Sequence, residues 1–141
     1  MIIGKFETGP VPRPVTVNPQ APLVMVVDDD DDIRTTLGEI LATLKYDVTV
    51  ASHGLDALTQ LRVGVRPDVI LLDLMMPVMD GYEFILELRR HAALATIPIL
   101  VITAAGNAQV EAAKIAAAGH IQKPFKANEL LAAIDQIVSA G

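Results

Sequence analysis

Cysteine and tryptophan are absent from this sequence of 141 residues. Without cysteine the chain can form no disulfide framework and no thiolate metal site, and a cysteine nucleophile is excluded. No apolar run approaches the roughly 18 residues that a bilayer-spanning helix needs, and the N-terminus has no continuous apolar core typical of a signal peptide. These absences argue against a membrane span and predict a soluble protein of the cytoplasm.

Positive charge is also scarce. The chain has 11 Lys and Arg against 17 Asp and Glu, which gives a formal net charge of -6 and a pI near 4.9. A basic surface is the usual electrostatic requirement for binding nucleic acid or an anionic membrane, so direct binding to either is not expected. The hydrophobic fraction is 52%, which is enough for one well-packed core in a chain of this length.

Proline is concentrated at the N-terminus. The first 22 residues contain Pro10, Pro12, Pro14, Pro19 and Pro22 and show little apolar periodicity. This composition favours extended, polyproline-like chain and predicts a flexible arm over residues 1–22. The remaining residues, 23–141, are then expected to form a single domain, which would leave none for a second one.

Short apolar runs alternate with helical periodicity through the rest of the chain. Continuous apolar stretches predict strands at 23–27, 48–51, 69–73, 97–103 and 120–123. Apolar residues at helical spacing predict helices within 33–44, 55–62, 82–88, 107–118 and 130–138. Five strands alternating with five helices predict a flavodoxin-like, doubly wound parallel sheet of order 2-1-3-4-5, because right-handed crossovers need helices on both faces.

Acidic residues follow two strands that this order makes neighbours. Asp28 and Asp29 end the first strand and Asp73 ends the third, at the switch point of the sheet. Such a concentration of negative charge is costly without a cation, and Mg²⁺ prefers oxygen ligands, so Asp29, Asp73 and one backbone carbonyl could hold it. The alternative is that residues 28–32 are only the solvated acidic start of a helix, where negative charge suits the helix dipole.

Two more polar residues end strands at the same edge. Thr103 ends the fourth strand and Lys123 the fifth. Asp73 is a possible nucleophile for phosphoryl transfer, Lys123 could stabilise charge on the incoming group, and Thr103 could donate a hydrogen bond to it. Each residue alone is a weak signal, because a lone Thr is usually a satisfied hydroxyl and a lone Lys a solvated charge.

Together these residues resemble the receiver domain of two-component response regulators. The resemblance extends from Leu23 to about Ser139 and depends on five motifs: Val26-Val-Asp-Asp29, Leu72-Asp-Leu-Met-Met-Pro77, Met79-Asp-Gly81, Thr103-Ala104 and Lys123-Pro-Phe125. It implies that Asp73 accepts a phosphoryl group. It also implies a histidine kinase or histidine phosphotransfer protein as the donor, and a downstream protein that binds the face formed by helix four, strand five and helix five.

The resemblance gives each of the other positions a role. Asp29 is implied to bind Mg²⁺ directly, Asp28 to bind it through water, and the Met75 backbone carbonyl to complete the protein ligands. Thr103 is implied to move toward the phosphoryl group and Lys123 to pair with it. The Lys123–Pro124 bond is implied to be cis, a geometry that only an X-Pro bond adopts at modest cost.

Two departures from the family fall near the fifth strand. The segment between Gly119 and Lys123 is a few residues shorter than is usual in the family. His120 stands three positions before Lys123, where an aromatic residue commonly acts as a conformational switch together with the threonine. One hypothesis is that His120 takes this role with Thr103; the other is that it lies exposed on a shortened strand and switches nothing.

Two other functions are weighed against phosphoryl acceptance. A receiver-like adaptor that acts without phosphorylation is expected where an acidic position or the lysine is lost, and none is lost here. A hydrolase of the aspartyl-phosphate type generally has a second Asp two residues after the nucleophile, where this chain has Met75. Met75 and Ala105 lie two residues beyond Asp73 and Thr103, and neither can orient a water, which predicts slow dephosphorylation.

Overall fold

A five-stranded parallel sheet with helices on both faces forms the domain. The computed structural model describes residues 21–104 and 106–140, so the arm predicted over residues 1–22 lies outside it except for the last two. In chain order the elements are β1 (Leu23–Val27), α1 (Asp31–Thr43), β2 (Asp47–Ala51), α2 (Gly54–Arg62), β3 (Val69–Asp73), α3 (Gly81–Arg89), α4 (Ala92–Ala95), β4 (Ile99–Thr103), α5 (Ala108–Lys114), β5 (Gly119–Gln122) and α6 (Ala127–Ala140). The strand order β2-β1-β3-β4-β5 confirms the predicted flavodoxin-like sheet.

The central strands are buried because both faces of the sheet are covered. Along β1, Met25 and Val27 pack into the core under α2 and α3, while Val24 and Val26 pack into the core under α1 and α6. Successive side chains of a strand point to opposite faces, so a strand between two cores must be apolar at every position. This explains the continuous apolar runs of the sequence. None of the helices in the described part is long and apolar enough to cross a membrane.

Helix α1 begins within the acidic run. Asp30 is the N-cap, and its side chain accepts hydrogen bonds from the backbone N–H groups of Asp32 and Ile33. Asp31 and Asp32 lie in the first turn, where negative charge suits the helix dipole. Asp28, by contrast, is buried at the end of β1. The helix-start interpretation therefore holds for Asp30, Asp31 and Asp32, whereas Asp28 belongs to the edge of the sheet.

The helices differ from the prediction in number and at several ends, most of all at the end of α5. The described residues contain six helices instead of the five predicted. The additional helix is α4, which is too short to show helical periodicity in the sequence. The helix predicted over 107–118 ends instead at Lys114, and Ala116 takes the left-handed conformation with φ of 52°. It ends early because the Ala118 N–H must reach the Ile99 carbonyl, at 2.9 Å, as the chain joins the sheet.

The strands differ only at their ends. The fourth strand begins at Ile99 rather than at 97, because Pro98 has no N–H to give to the sheet. The second begins one residue early, where the Asp47 N–H donates to the Pro22 carbonyl at 2.9 Å. The fifth runs from Gly119 to Gln122, so Lys123 follows the strand instead of ending it.

Gly81 allows α3 to begin directly against the end of β3. A Cβ atom at this position would lie 2.7 Å from the Leu74 Cα atom and 3.1 Å from the Asp73 carbonyl oxygen. Contacts this short with backbone cannot be relieved by turning a side chain. Only glycine therefore fits here without moving the loop that follows Asp73.

We expect Gly81→Ala to lower the free energy of unfolding by about 1–3 kcal/mol, as overpacking of a tight site does. Gly38→Ala is the matched control, because nothing lies within 4 Å of a Cβ there and the residue is in the middle of α1. The free energy of unfolding of the control should rise by about 0.5–1 kcal/mol, since alanine is more favourable than glycine in the middle of a helix. Urea denaturation of both variants would measure this, and equal stabilities would contradict the steric argument.

A side-chain hydrogen bond joins α3 to α5. The Tyr82 hydroxyl donates to the carboxylate of Glu111, which also accepts from Lys114 Nζ at 3.1 Å. The hydrogen bond to Glu111 is the main reason that the pKa of Tyr82 rises from 10.0 to about 12. The same bond is the main reason that the pKa of Glu111 falls below 4.5.

The hydrogen bond should stabilise the fold only in the pH range between the titration of Glu111 and that of Tyr82. The raised pKa of Tyr82 means that its contribution is complete below pH 10.0 and is lost as the pH rises toward about 12. The lowered pKa of Glu111 means that its contribution is present above pH 4.5 and is lost as the pH falls. We expect Tyr82→Phe to be less stable than wild type at neutral pH, by a difference that shrinks as the pH rises from 10.0 through about 12. A stability difference that did not change with pH would contradict this.

Candidate functional site

Four polar side chains meet at the carboxyl edge of the sheet. Asp28 follows β1 and Asp73 ends β3, and these strands are neighbours in which Val27 pairs with Leu72. Thr103 ends β4, and Lys123 follows β5, the next strand along. The parallel order of the strands therefore places Asp28, Asp73, Thr103 and Lys123 at one edge, as the sequence predicts.

The carboxylates form a compact acidic cluster. Ligand atoms of Asp28, Asp29 and Asp73 all lie within 4.8 Å of one another. Asp28 and Asp73 are only 3% and 6% exposed, whereas Asp29 is exposed. Like charges this close repel strongly when water is excluded, so the cluster needs positive charge beside it.

Lys123 supplies part of that charge. Its Nζ atom lies 3.0 Å from Asp28 Oδ2 and 3.3 Å from Asp73 Oδ2. Burial alone would lower the pKa of the ammonium, but the hydrogen bonds and charges of the two carboxylates outweigh it and raise the pKa above its ordinary value. The lysine is therefore held protonated between the two aspartates. Its bond to Pro124 is cis, as the resemblance implied.

The positive charge of one lysine does not balance the negative charge of the cluster. Three carboxylates and one ammonium leave two negative charges, and all the ligand atoms that the cluster offers are oxygens. A small divalent cation with oxygen ligands, such as Mg²⁺, fits this donor set.

Asp73 has its own hydrogen-bond donor and a shifted pKa. The Met75 backbone N–H donates to Asp73 Oδ1 at 3.0 Å, which places the backbone of Met75 against the site. Burial raises the pKa of Asp73 and the charge of Asp28 adds to this, while the Met75 N–H and Lys123 oppose it only in part. A further cation at the cluster would lower this pKa and keep the carboxylate ionised.

A backbone hydrogen bond and one residue with positive φ define the conformation of the loop after β3. The Gly81 N–H donates to the Leu74 carbonyl at 3.0 Å, and Val78 has φ of 70°. A β-branched residue rarely adopts positive φ, which costs of the order of 1–3 kcal/mol. The side chain of Met75 is 59% exposed at this loop, so it does not belong to the core.

Thr103 lies under the connection between β4 and α5. It is 1% exposed, and its carbonyl accepts the Lys123 N–H at 2.9 Å. A cavity of about 220 Å³ adjoins it, lined by Leu74, Met75, Tyr82, Thr103, Gly106 and Glu111. Ala105, predicted to flank the site, lies outside the described residues.

His120 lies further from this edge of the sheet. It pairs with Val101, whereas the residue in register with Thr103 is Gln122. The imidazole is exposed, and the residue lines a cavity of about 650 Å³ together with residues of α6 such as Ile137. The predicted switch role of His120 stays a prediction.

Sequence reasoning missed two residues that support the site. Arg34, in α1, donates from Nη1 to the Asp28 carbonyl at 2.6 Å and also pairs with Asp31. Gln122 holds the connection between β4 and α5 through its side-chain amide. Neither residue has a motif of its own. The sequence carries no signal for the contact of Arg34, because Asp28 lies before α1 and contributes its backbone carbonyl, which every residue has.

Comparisons with known proteins agree with this geometry. The family model for the response regulator receiver domain matches residues 24–135. The DNA-binding dual master transcriptional regulator RpaA of Synechocystis sp. is 36% identical over 115 residues, which cover 80% of this chain and 47% of the relative. The probable transcriptional regulator ycf29 of Pyropia yezoensis is 32% identical over 118 residues, which cover 82% of this chain and 53% of the relative.

A solved structure gives the same fold. Chemotaxis protein CheY4 of Vibrio cholerae is 31% identical, with a TM-score of 0.76, and the match covers 83% of this chain and 98% of that chain. The chain spans about half the length of the curated relatives cited above. The match to the family model includes the strand ends that carry the acidic cluster, Thr103 and Lys123. The chain therefore belongs to the family of response regulator receiver domains, the phosphoryl-accepting modules of two-component signalling.

Proposed function

We propose that this chain accepts a phosphoryl group on Asp73 from a phosphohistidine donor, either a histidine kinase or a histidine phosphotransfer protein. The observation that carries the proposal is the environment of Asp73. This buried carboxylate lies within 3.3 Å of the Lys123 ammonium and shares an oxygen cluster with Asp28 and Asp29. The nucleophile, a fixed positive charge and a set of metal ligands are thus together at one point.

The transfer exchanges one bond to phosphorus for another. A carboxylate oxygen of Asp73 attacks the phosphorus atom, and the bond from phosphorus to the imidazole nitrogen breaks with its electron pair going to that nitrogen. The imidazole carries a proton on its other ring nitrogen, so it leaves as a neutral ring. The product is an acyl phosphate on Asp73 and a neutral histidine on the donor. Lys123 stabilises the charge on the phosphoryl oxygens, and Thr103 donates a hydrogen bond to one of them.

Asp28, Asp29, Asp73 and the Met75 carbonyl would hold Mg²⁺. When bound, the ion neutralises the acidic cluster and the charge of the phosphoryl group. Asp29 is the exposed member of the cluster, so it can bind a metal without an extra cost of burial. The Met75 N–H donates to Asp73, so the backbone of Met75 lies against the acidic cluster.

Phosphorylation then changes the charge and the packing around Thr103. The downstream partner would bind the face formed by α5, β5 and α6, which are the fourth helix, fifth strand and fifth helix of the sequence prediction. The net charge of -6 does not favour DNA binding by this part of the protein. An adaptor that acts without phosphorylation is disfavoured, because every acidic position and the lysine are present.

Asp73→Asn should fold normally and lose phosphoryl uptake, because the amide has the size of the carboxylate but is not a nucleophile. The measurement is the incorporation of labelled phosphate from acetyl phosphate or from a phosphorylated kinase. Asp135→Asn, at an exposed position of α6, is the matched control and should be labelled like wild type. Asp29→Asn should lower the affinity for Mg²⁺. Full labelling of the Asp73 variant would contradict the assignment.

Dephosphorylation should be slow in the wild type and faster in Met75→Asn. The Met75 side chain is 59% exposed beside Asp73 and is apolar, so it cannot orient an attacking water, whereas asparagine can. We expect about a tenfold shorter phosphoryl lifetime in that variant.

Val78→Asn is the control for this prediction. Val78 is exposed in the same loop and has positive φ, which asparagine tolerates. Its phosphoryl lifetime should equal that of the wild type. A wild-type lifetime of seconds that Met75→Asn does not change would show that position 75 does not limit hydrolysis.

A further inference from the structure

Gln122 ties together the two ends of the connection between β4 and α5. Its Oε1 atom accepts the backbone N–H of Ala108, the first residue of α5, at 2.8 Å. Its Nε2 atom donates to the carbonyl of Thr103 at 3.2 Å and to that of Ala104 at 3.4 Å. One side-chain amide thus bridges the end of a strand and the start of a helix.

The Ala108 N–H needs this partner. Ala108 is 1% exposed, and a buried N–H without an acceptor is costly. The N-cap residue Asn107 cannot serve it, because the Asn107 side chain accepts from the Gln109 N–H instead. Gln122 therefore completes the N-terminus of α5 from a different element of the fold.

Gln122 and Lys123 contact different groups at the carboxyl edge of the sheet. Lys123 contacts the carboxylates of Asp28 and Asp73, while Gln122 contacts the backbone at Thr103 and Ala104. Thr103 and Gln122 are in register across β4 and β5, and the Thr103 carbonyl also accepts the Lys123 N–H. Lys123, which follows β5, thus contacts the acceptor Asp73. Gln122, the last residue of β5, holds the backbone of Thr103.

We propose that Gln122 is a positioning residue that sets the backbone of Thr103 and Ala104 beside Asp73, and so controls the rate of phosphoryl uptake. The inference rests on the proposed function of Asp73. Gln122 itself does not touch the reacting atoms; it acts through Thr103 and through the start of α5. Small displacements of a hydrogen-bond donor are costly in rate, so its two donated bonds matter more for uptake than for stability.

Two substitutions separate the roles of the amide. Gln122→Met keeps the length of the side chain and removes every hydrogen bond. Gln122→Glu keeps an acceptor for the Ala108 N–H but loses the donors to Thr103 and Ala104. Gln109→Met, at an exposed glutamine of α5, is the matched control. Because Gln122 is exposed, both variants should fold.

The first measurement is amide hydrogen exchange at Ala108 in the full chain. We expect protection to fall roughly threefold to tenfold in Gln122→Met, which is the effect of losing one hydrogen bond. Protection should be retained in Gln122→Glu and in the Gln109→Met control. Unchanged protection in Gln122→Met would overturn the inference.

The second measurement is phosphoryl uptake from acetyl phosphate, together with Mg²⁺ affinity. The maximal rate should fall roughly threefold to tenfold in both Gln122 variants, with the half-saturating donor concentration and the Mg²⁺ affinity unchanged. In a Thr103→Ala background, Gln122→Met should have no further effect, because the two residues act as one unit.

The outcomes distinguish the inference from the proposed function. Loss of Ala108 protection without any loss of rate would reduce Gln122 to a helix cap and overturn the inference. A parallel loss of Mg²⁺ affinity would also overturn it, because the whole site would then be disturbed. If wild type itself took up no phosphoryl group, the proposed function would fail, and the inference would fail with it.

Discussion

The burial of two carboxylates at adjacent strand ends is the constraint on which this site depends. Asp28 and Asp73 are almost inaccessible, yet they lie at the ends of strands that are direct neighbours in the sheet. Their repulsion is tolerable only because Lys123 lies between them and because the Met75 N–H donates to Asp73. The residual negative charge explains why a divalent cation suits the site. It also makes the site respond to any group that brings or removes charge.

The segments that follow β3 and β4 are held in place by contacts with other elements of the fold. Gly81 lets α3 begin against the end of β3, and Tyr82 in the next position reaches across to Glu111 on α5. On the other side, Gln122 bridges the end of β4 and the start of α5. Helix α5 is therefore held at two points, at Glu111 by α3 and at Ala108 by β5.

Much of the fold and of the acidic site follows from patterns within short segments. Continuous apolar runs predict buried strands, and the alternation with helices predicts the order of the sheet, so Asp28, Asp73, Thr103 and Lys123 could be assigned to one edge. The short helix α4 and the early end of α5 could not be predicted. The end of α5 is set by a hydrogen bond from Ala118 to Ile99, a residue of another strand, and local helix propensity carries no information about it.

The sequence by itself determined the class of fold, the strand ends that meet, and the residue types available for chemistry there, because these depend on periodicity and on the topology of parallel sheets. Only the tertiary structure decided how the acidic run is divided, with Asp28 buried in the site and Asp30 capping α1. It alone assigned Gln122 to the backbone at Thr103, and left His120 exposed beside α6. These outcomes depend on register and on side-chain contacts between residues far apart in the chain, which no local pattern encodes.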